Sequence, residues 1–230
     1  MVDSDGGVDD ALAIAMAAGS KTVALTGCSA VFGNVNAQQA ASNLGQILQG
    51  ADQDITVSIG AEYALDGSQR TAEHAHGADG LWGASAHFSQ YRAPLAMPSA
   101  MEALRTYILN CGENDVVLGI GPATNLARTL KDIAPVRTPL PKIVMMSGAY
   151  HVPGNITSFA EFNAFADPLA LNTVLQSGFR PVLVGLDVCT KVTLHRGDLN
   201  VLGITSSARW QSSWRERCQA IWIFIYRLQA

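Results

Sequence analysis

With 230 residues, 48% of them hydrophobic and 15% charged, the chain can bury one sizeable core and is excluded from the disordered class. A net charge of −4 gives no reason to expect nucleic acid or an acidic membrane as partner, and no stretch approaches the roughly 20 uncharged apolar residues of a bilayer span. Cys28, Cys111, Cys189 and Cys218 are scattered without a C-x-x-C pair, and the first residues lack a basic-then-apolar leader pattern, so free thiols in a reducing, cytoplasmic compartment are the expectation.

In chain order, residues 11–18 read as a buried, Ala-rich helix closed by Gly19. Residues 22–28 make a strand-length run with β-branched side chains, residues 31–36 the loop after it, and residues 37–48 a second helix ahead of Gly50. A second strand is expected at 55–60. The span 61–98, rich in Gly, Ala and His, has weak periodicity and reads as a long functional loop. Ser99 and Glu102 stand at capping-box spacing and open a helix to about Asn110. Strands follow at 115–121, 142–148 and 181–188, with a turn into a helix at 122–127 and a helix at 167–176. Strands alternating with helices predict an α/β fold: a mainly parallel sheet flanked by helices, Rossmann-like. After residue 196 the character changes, with Trp210, Trp214, Trp222 and four arginines crowded together. The chain therefore divides into an α/β domain at 1–196 and an atypical tail at 197–230.

The chemistry concentrates in Asp3-Ser4-Asp5-Gly6-Gly7-Val8-Asp9-Asp10. Four carboxylates in eight residues repel one another, and Asp is a poor strand and mid-helix residue. A hard cation would resolve the repulsion, since oxygen-rich sites suit calcium or magnesium. The plainer reading makes Asp3 or Asp5 a cap, and Asp9 and Asp10 first-turn acids of the helix.

This octapeptide resembles the DxDPGxDD signature of the inosine-uridine-preferring nucleoside hydrolases, with Gly6 where that family usually has proline. The resemblance extends over residues 2–195. Gly33-Asn34 is similar to the family's GN loop, and His76-Gly77-Ala78-Asp79-Gly80-Leu81 to HGxxGL. Gly121-Pro122-Ala123-Thr124-Asn125-Leu126-Ala127 is similar to GPLTNLA, and Met146-Ser147-Gly148 to MGG. The run Gly154-Asn155-Ile156-Thr157, Ala160-Glu161-Phe162-Asn163 and Asp167-Pro168 is similar to GNxTxxAEFN…DP. The last of these is long and specific; a Gly-Asn pair alone would mean nothing.

The resemblance implies calcium-dependent hydrolysis of the N-glycosidic bond of ribonucleosides to free base and ribose. By it, Asp5 and Asp10 would ligate Ca2+ together with the backbone carbonyl of Thr124. Asp5 would also act as general base on the attacking water. Asp9, Asn155, Glu161 and Asn163 would bind the ribose hydroxyls, Asn34 would align ribose or water, and His76 and Met146 would line the pocket. Asp3 would support the ligands. It further implies a homodimer or tetramer. The chemistry suits these residue types, because breaking the ribosyl C–N bond builds an oxocarbenium-like charge that carboxylates and positioned hydroxyl partners stabilise. Each residue also has a bland alternative: Glu161 and Asn163 as local caps, Asn155 as a turn residue, His76 as a loop polar group. His74, His87, His151 and His195 carry no assignment.

The family also supplies a late calcium-ligating Asp, beside a His in some subgroups. No segment after residue 196 resembles it; Asp198, in Arg-Gly-Asp-Leu, does not, and Asp187 matches a different strand end. This leaves a catalytically impaired remnant as the alternative. A third reading takes Asp3-Ser4-Asp5-Gly6 as the DxDGT nucleophile motif of haloacid-dehalogenase-like phosphatases, with Asp3 attacking phosphorus beside magnesium; the rest of the motif order does not fit it.

Overall fold

Parallel strands need crossovers, and the helices between these short apolar runs supply them. The computed structural model describes residues 1–91, 97–131, 133 and 141–192. Its strands are β1 (Val2–Ser4), β2 (Cys28–Ala30), β3 (Val57–Ile59), β4 (Val116–Gly119), β5 (Lys142–Met146) and β6 (Val182–Val184). Its helices are α1 (Val8–Gly19), α2 (Ala37–Gly50), α3 (Glu73–His76), α4 (Ala100–Asn110), α5 (Thr124–Leu130), α6 (Phe162–Ala166), α7 (Pro168–Gln176) and α8 (Leu186–Cys189). The strands form one sheet in the order β3-β2-β1-β4-β5-β6, and every pairing is parallel. The expected α/β fold is thus the observed one.

Both faces of the sheet are covered. On one, Val2, Cys28, Ala30 and Val57 pack with Val8, Ile14, Leu44 and Ile47 of α1 and α2. On the other, Val117, Ile143 and Met145 pack with Leu104, Leu126 and Val174 of α4, α5 and α7. β4 and the residue after it show the period of two directly: Leu118 and Ile120 turn to the first face, Val117 to the second. Among the described residues no helix is long and apolar enough to cross a membrane.

Several element bounds differ from expectation. The strand expected at 22–28 begins where it was expected to end, because β2 exists only where β1 and β3 offer partners, in the register Val2↔Cys28↔Val57. The strand expected to run to 188 stops at Val184; Gly185 caps α8, which takes Leu186, Asp187 and Val188 out of the sheet. Within the long 61–98 span lie α3 and a 3₁₀ turn, Ala84–His87. The capping box at Ser99 forms as expected, with reciprocal bonds between Ser99 and Glu102. The tail 197–230, His195 and Asp198 lie outside the described residues.

Candidate active site

Because β2 lies on one side of β1 and β4 on the other, successive connections leave this point in opposite directions. In open α/β sheets ligands bind beyond the carboxyl ends of the strands at such a switch point. The acidic octapeptide lies there, running from β1 into the first turn of α1.

The backbone of this turn is shaped by two glycines. Gly6 has φ +69°, a left-handed conformation that proline cannot adopt. At Gly7 a Cβ would overlap the Asn34 amide and come within 2.8 Å of His76 Nδ1, so the close approach of those side chains requires glycine. Gly7 caps α1, and its N–H donates to Asp10 Oδ2 at 3.0 Å.

Asp5 and Asp10 are both buried. Asn34 holds them: its N–H donates to Asp5 Oδ2 (2.8 Å), and its Nδ2 donates to Asp5 Oδ1 (3.0 Å) and Asp10 Oδ2 (3.1 Å). Ser4 Oγ donates to Asp10 Oδ1 at 2.7 Å. Burial, then the charges of Asp10 and Asp9, raises the Asp5 carboxyl well above its ordinary range. Burial and Asp9 push Asp10 up to about 7. Two carboxylates this buried and this close resist being charged together, so a shared proton or a cation suits the pair.

One cavity opens in front of this pair. Its walls include Asp9, Asn34, His76, Met146, Asn155, Glu161 and Asn163, so the structure brings together all seven residues expected to bind substrate. The three expected metal ligands are placed differently. Asp5 and Asp10 are not on the wall; the Asn34 amide stands between them and the cavity. Thr124, expected to offer its backbone carbonyl, is buried in the first turn of α5; its hydroxyl donates to Asp167 Oδ2 at 2.7 Å, and like Asp5 and Asp10 it is not on the cavity wall. The strand-end residue on the wall is Ile120, and β4 abuts Asp5 there: a Cβ on Gly121 would lie 3.0 Å from Asp5 N. Sequence spacing missed Ile120 because an apolar residue after a strand carries no chemical signal; in the fold its carbonyl accepts from Asn163 Nδ2 at 3.2 Å.

Asp3 does not touch the carboxylate pair through its side chain. It accepts from Ser29 Oγ (2.6 Å) and Asn125 Nδ2 (2.8 Å), and burial raises it to about 6 against those bonds. It anchors α5 to the sheet.

The far wall comes from the segment after β5. Glu161 is the N-cap of α6: Oε1 accepts from Asn163 N–H (2.8 Å), and Oε2 from Gly148 N–H (2.9 Å) and Ala164 N–H (3.1 Å). The capping alternative is therefore real, and Glu161 lines the cavity as well. Burial raises its carboxyl despite these bonds. Asn163 Nδ2 donates to the carbonyls of Ile120 (3.2 Å) and Met146 (3.1 Å), so its Oδ1 is the acceptor it offers. Asn155 Oδ1 accepts from Phe162 N–H at 2.9 Å, so its Nδ2 is the donor it offers. Asp9 is an exposed carboxylate 3.9 Å from His76 Nδ1. His74, Ile156 and Phe162 also line the cavity, though no pattern in the sequence singles them out.

The carboxylate oxygens of Asp5 and Asp10, drawn together on the Asn34 amide, suit a hard cation. Among the described residues no cluster of three or more His, Cys, Asp or Glu could hold a metal, so a cation here would rest on two carboxylates and neutral oxygens.

The chain is similar to known proteins in both sequence and fold. The sequence profile described as "Inosine-uridine preferring nucleoside hydrolase" matches residues 1–228. The "Non-specific ribonucleoside hydrolase RihC" of Salmonella enteritidis PT4 is 35% identical over 202 residues, 88% of this chain and 65% of that protein. The chain thus spans 65% of the length of the curated relatives it matches. Among solved structures, "Plant nucleoside hydrolase - PpNRh1 enzyme" matches with TM-score 0.80 and 27% identity over 97% of this chain and 77% of that one. "Inosine-Guanosine Nucleoside Hydrolase (IG-NH)" matches with TM-score 0.82 and 27% identity over 99% and 72%. This chain belongs to the inosine-uridine preferring nucleoside hydrolase family.

Proposed function

We propose that this protein hydrolyses the N-glycosidic bond of ribonucleosides to free base and ribose, with Ca2+ as cofactor. The observation that carries the reading is one cavity at the sheet's switch point. It combines hydroxyl acceptors from two separate chain segments with a buried carboxylate pair behind a single amide.

The roles follow from which atoms are already committed. Ribose hydroxyls donate protons and need acceptors, which Asp9, Glu161 and Asn163 Oδ1 supply. Asn155 Nδ2 donates back to a hydroxyl oxygen. Three backbone N–H groups fix Glu161, so it meets the substrate without reorganising. Met146 and His76 shape the wall beside the sugar and base. Asp5 is the base for the attacking water. It accepts that proton once the Asn34 amide rotates off it, and Asn34 then aligns the water or ribose.

Asp5, Asp10 and the Ile120 carbonyl would hold the calcium, which when bound lowers the pKa of water and grips vicinal hydroxyls. The described cysteines are all free, which supports a reducing, cytoplasmic setting; assembly as a homodimer or tetramer is part of the same reading.

The test is ribose release from inosine by wild-type and Asp5→Asn proteins. Loss of the base should cost on the order of 10²–10⁴-fold in rate. Undiminished release by Asp5→Asn would remove Asp5 from the reaction.

A further inference from the structure

The cavity wall built from α3 has little of its own to hold it. A helix of four residues has no independent stability, and α3 contributes nothing to the buried core. Yet Ala75 and His76 of α3 line the cavity, as does Ala72 at its start. The shape of that wall therefore depends on what ties α3 down. Its entry is tied by Ala72 N–H, which donates to the Gly33 carbonyl at 3.1 Å. At its exit, the last carbonyls of a helix have no partners within it, and two of these turn to one residue. The Trp82 indole Nε1–H donates to the Ala75 carbonyl at 2.7 Å. The Trp82 backbone N–H donates to the His76 carbonyl at 2.9 Å.

Trp82 holds this place in a costly conformation. Its φ is +52°, in the left-handed region where a bulky residue is an outlier. Such strain persists only where the surroundings impose it, and it gathers at functional sites. Here both neighbours are pinned: Asp79 Oδ1 accepts from the N–H groups of Leu81 and Gly83. The backbone also runs close against the end of α3, where a Cβ on Gly77 would lie 3.0 Å from Trp82 Cα. With 44% of its surface exposed, Trp82 is not a core residue. What its ring supplies is a single fixed donor. It is not on the cavity wall itself, so it acts from behind.

We propose that Trp82 is a positioning residue that fixes α3, and through α3 the surface the substrate meets. Its part in binding rests on the hydrolase reading above. Without the indole bond, α3 leaves the wall for part of the time, and affinity falls with the fraction of molecules whose wall is in place. The carboxylates and amides assigned to the chemistry come from other segments, so the loss falls on KM rather than kcat.

The experiment uses the full chain and Trp82→Phe, which keeps a ring and removes the donor. Within α3, the His76 and Gly77 amides are bonded to the carbonyls of Ala72 and Glu73. Their hydrogen exchange should speed up by roughly 3- to 10-fold, the effect of losing one hydrogen bond, while the amides of β1 keep their wild-type rates. KM for inosine should rise by roughly the same factor, with kcat within about threefold of wild type and the thermal midpoint unchanged. Unchanged exchange at His76 and Gly77 would overturn the clamp. Faster exchange with an unchanged KM, or a loss confined to kcat, would overturn the part of Trp82 in binding. Wild-type protein that releases no ribose from inosine would overturn the hydrolase reading, and that part with it, while the exchange rates would still decide the clamp.

Discussion

Gly6 and Glu161 carry the site in opposite ways, one by lacking a side chain and the other by using every oxygen it has. At φ +69°, Gly6 occupies a conformation closed to proline. Gly6→Pro should therefore destabilise the protein by at least about 1–3 kcal/mol, read as a lower thermal midpoint; a raised midpoint would show that the turn can adopt a proline geometry. Glu161→Ala removes the acceptor of three N–H groups and should cost about 1–3 kcal/mol. Glu161→Gln keeps one accepting oxygen, enough for two of the three N–H groups, so it should lose less stability than Glu161→Ala while its kcat/KM falls because the acceptor for a ribose hydroxyl is weakened. Equal loss of stability in the two variants would reduce Glu161 to a cap. The residue types themselves were legible, since carboxylates and amides at these spacings resist explanation as packing. Which atoms remain free was not. The commitment of Asn163 Nδ2 to two carbonyls, and of Asn34 Nδ2 to two carboxylates, depends on contacts 17 to 43 residues apart or 24 to 29 residues apart, respectively, that no local pattern encodes.

At the scale of elements, the long span after β3 is held by Asp79 rather than by apolar packing alone. Its Oδ1 accepts from Leu81 N–H (3.0 Å) and Gly83 N–H (2.9 Å), and its Oδ2 from Ser85 Oγ (2.6 Å). Burial raises this carboxyl, but those bonds outweigh burial and hold it below the ordinary carboxylate range. A carboxylate lowered in the folded chain stabilises it above the unfolded pKa of about 3.9 and loses that contribution as pH falls through the folded value. Asp79→Asn should therefore be less stable than wild type at pH 7, with the gap closing below about pH 4. A gap of the same size at pH 3 and pH 7, measured by urea unfolding, would contradict this. Weak periodicity hid α3 because a four-residue helix shows no repeat, and its place is set by Ala72 N–H donating to the Gly33 carbonyl across the sheet end. The strands were found but drawn too long: their ends depend on the neighbour's length, as the Val2↔Cys28 register shows.

For the whole molecule, the order β3-β2-β1-β4-β5-β6 turns a chain-order list of motifs into a single cavity. Segments that leave β1, β2, β3, β4 and β5 all contribute to its wall, which is why motifs more than a hundred residues apart act together. The alternation of strand and helix made this fold readable in advance. A motif names a stretch, and only the folded strand end shows that Ile120, four residues before Thr124, lines the cavity. The account stands or falls on whether this cavity cleaves nucleosides. The most direct measurement is ribose release from inosine, uridine and adenosine by purified protein, with calcium, after chelation and after calcium is restored. The account predicts release with calcium, loss on chelation and recovery on restoration. No ribose in the presence of calcium, from protein shown by circular dichroism to be folded, would contradict it.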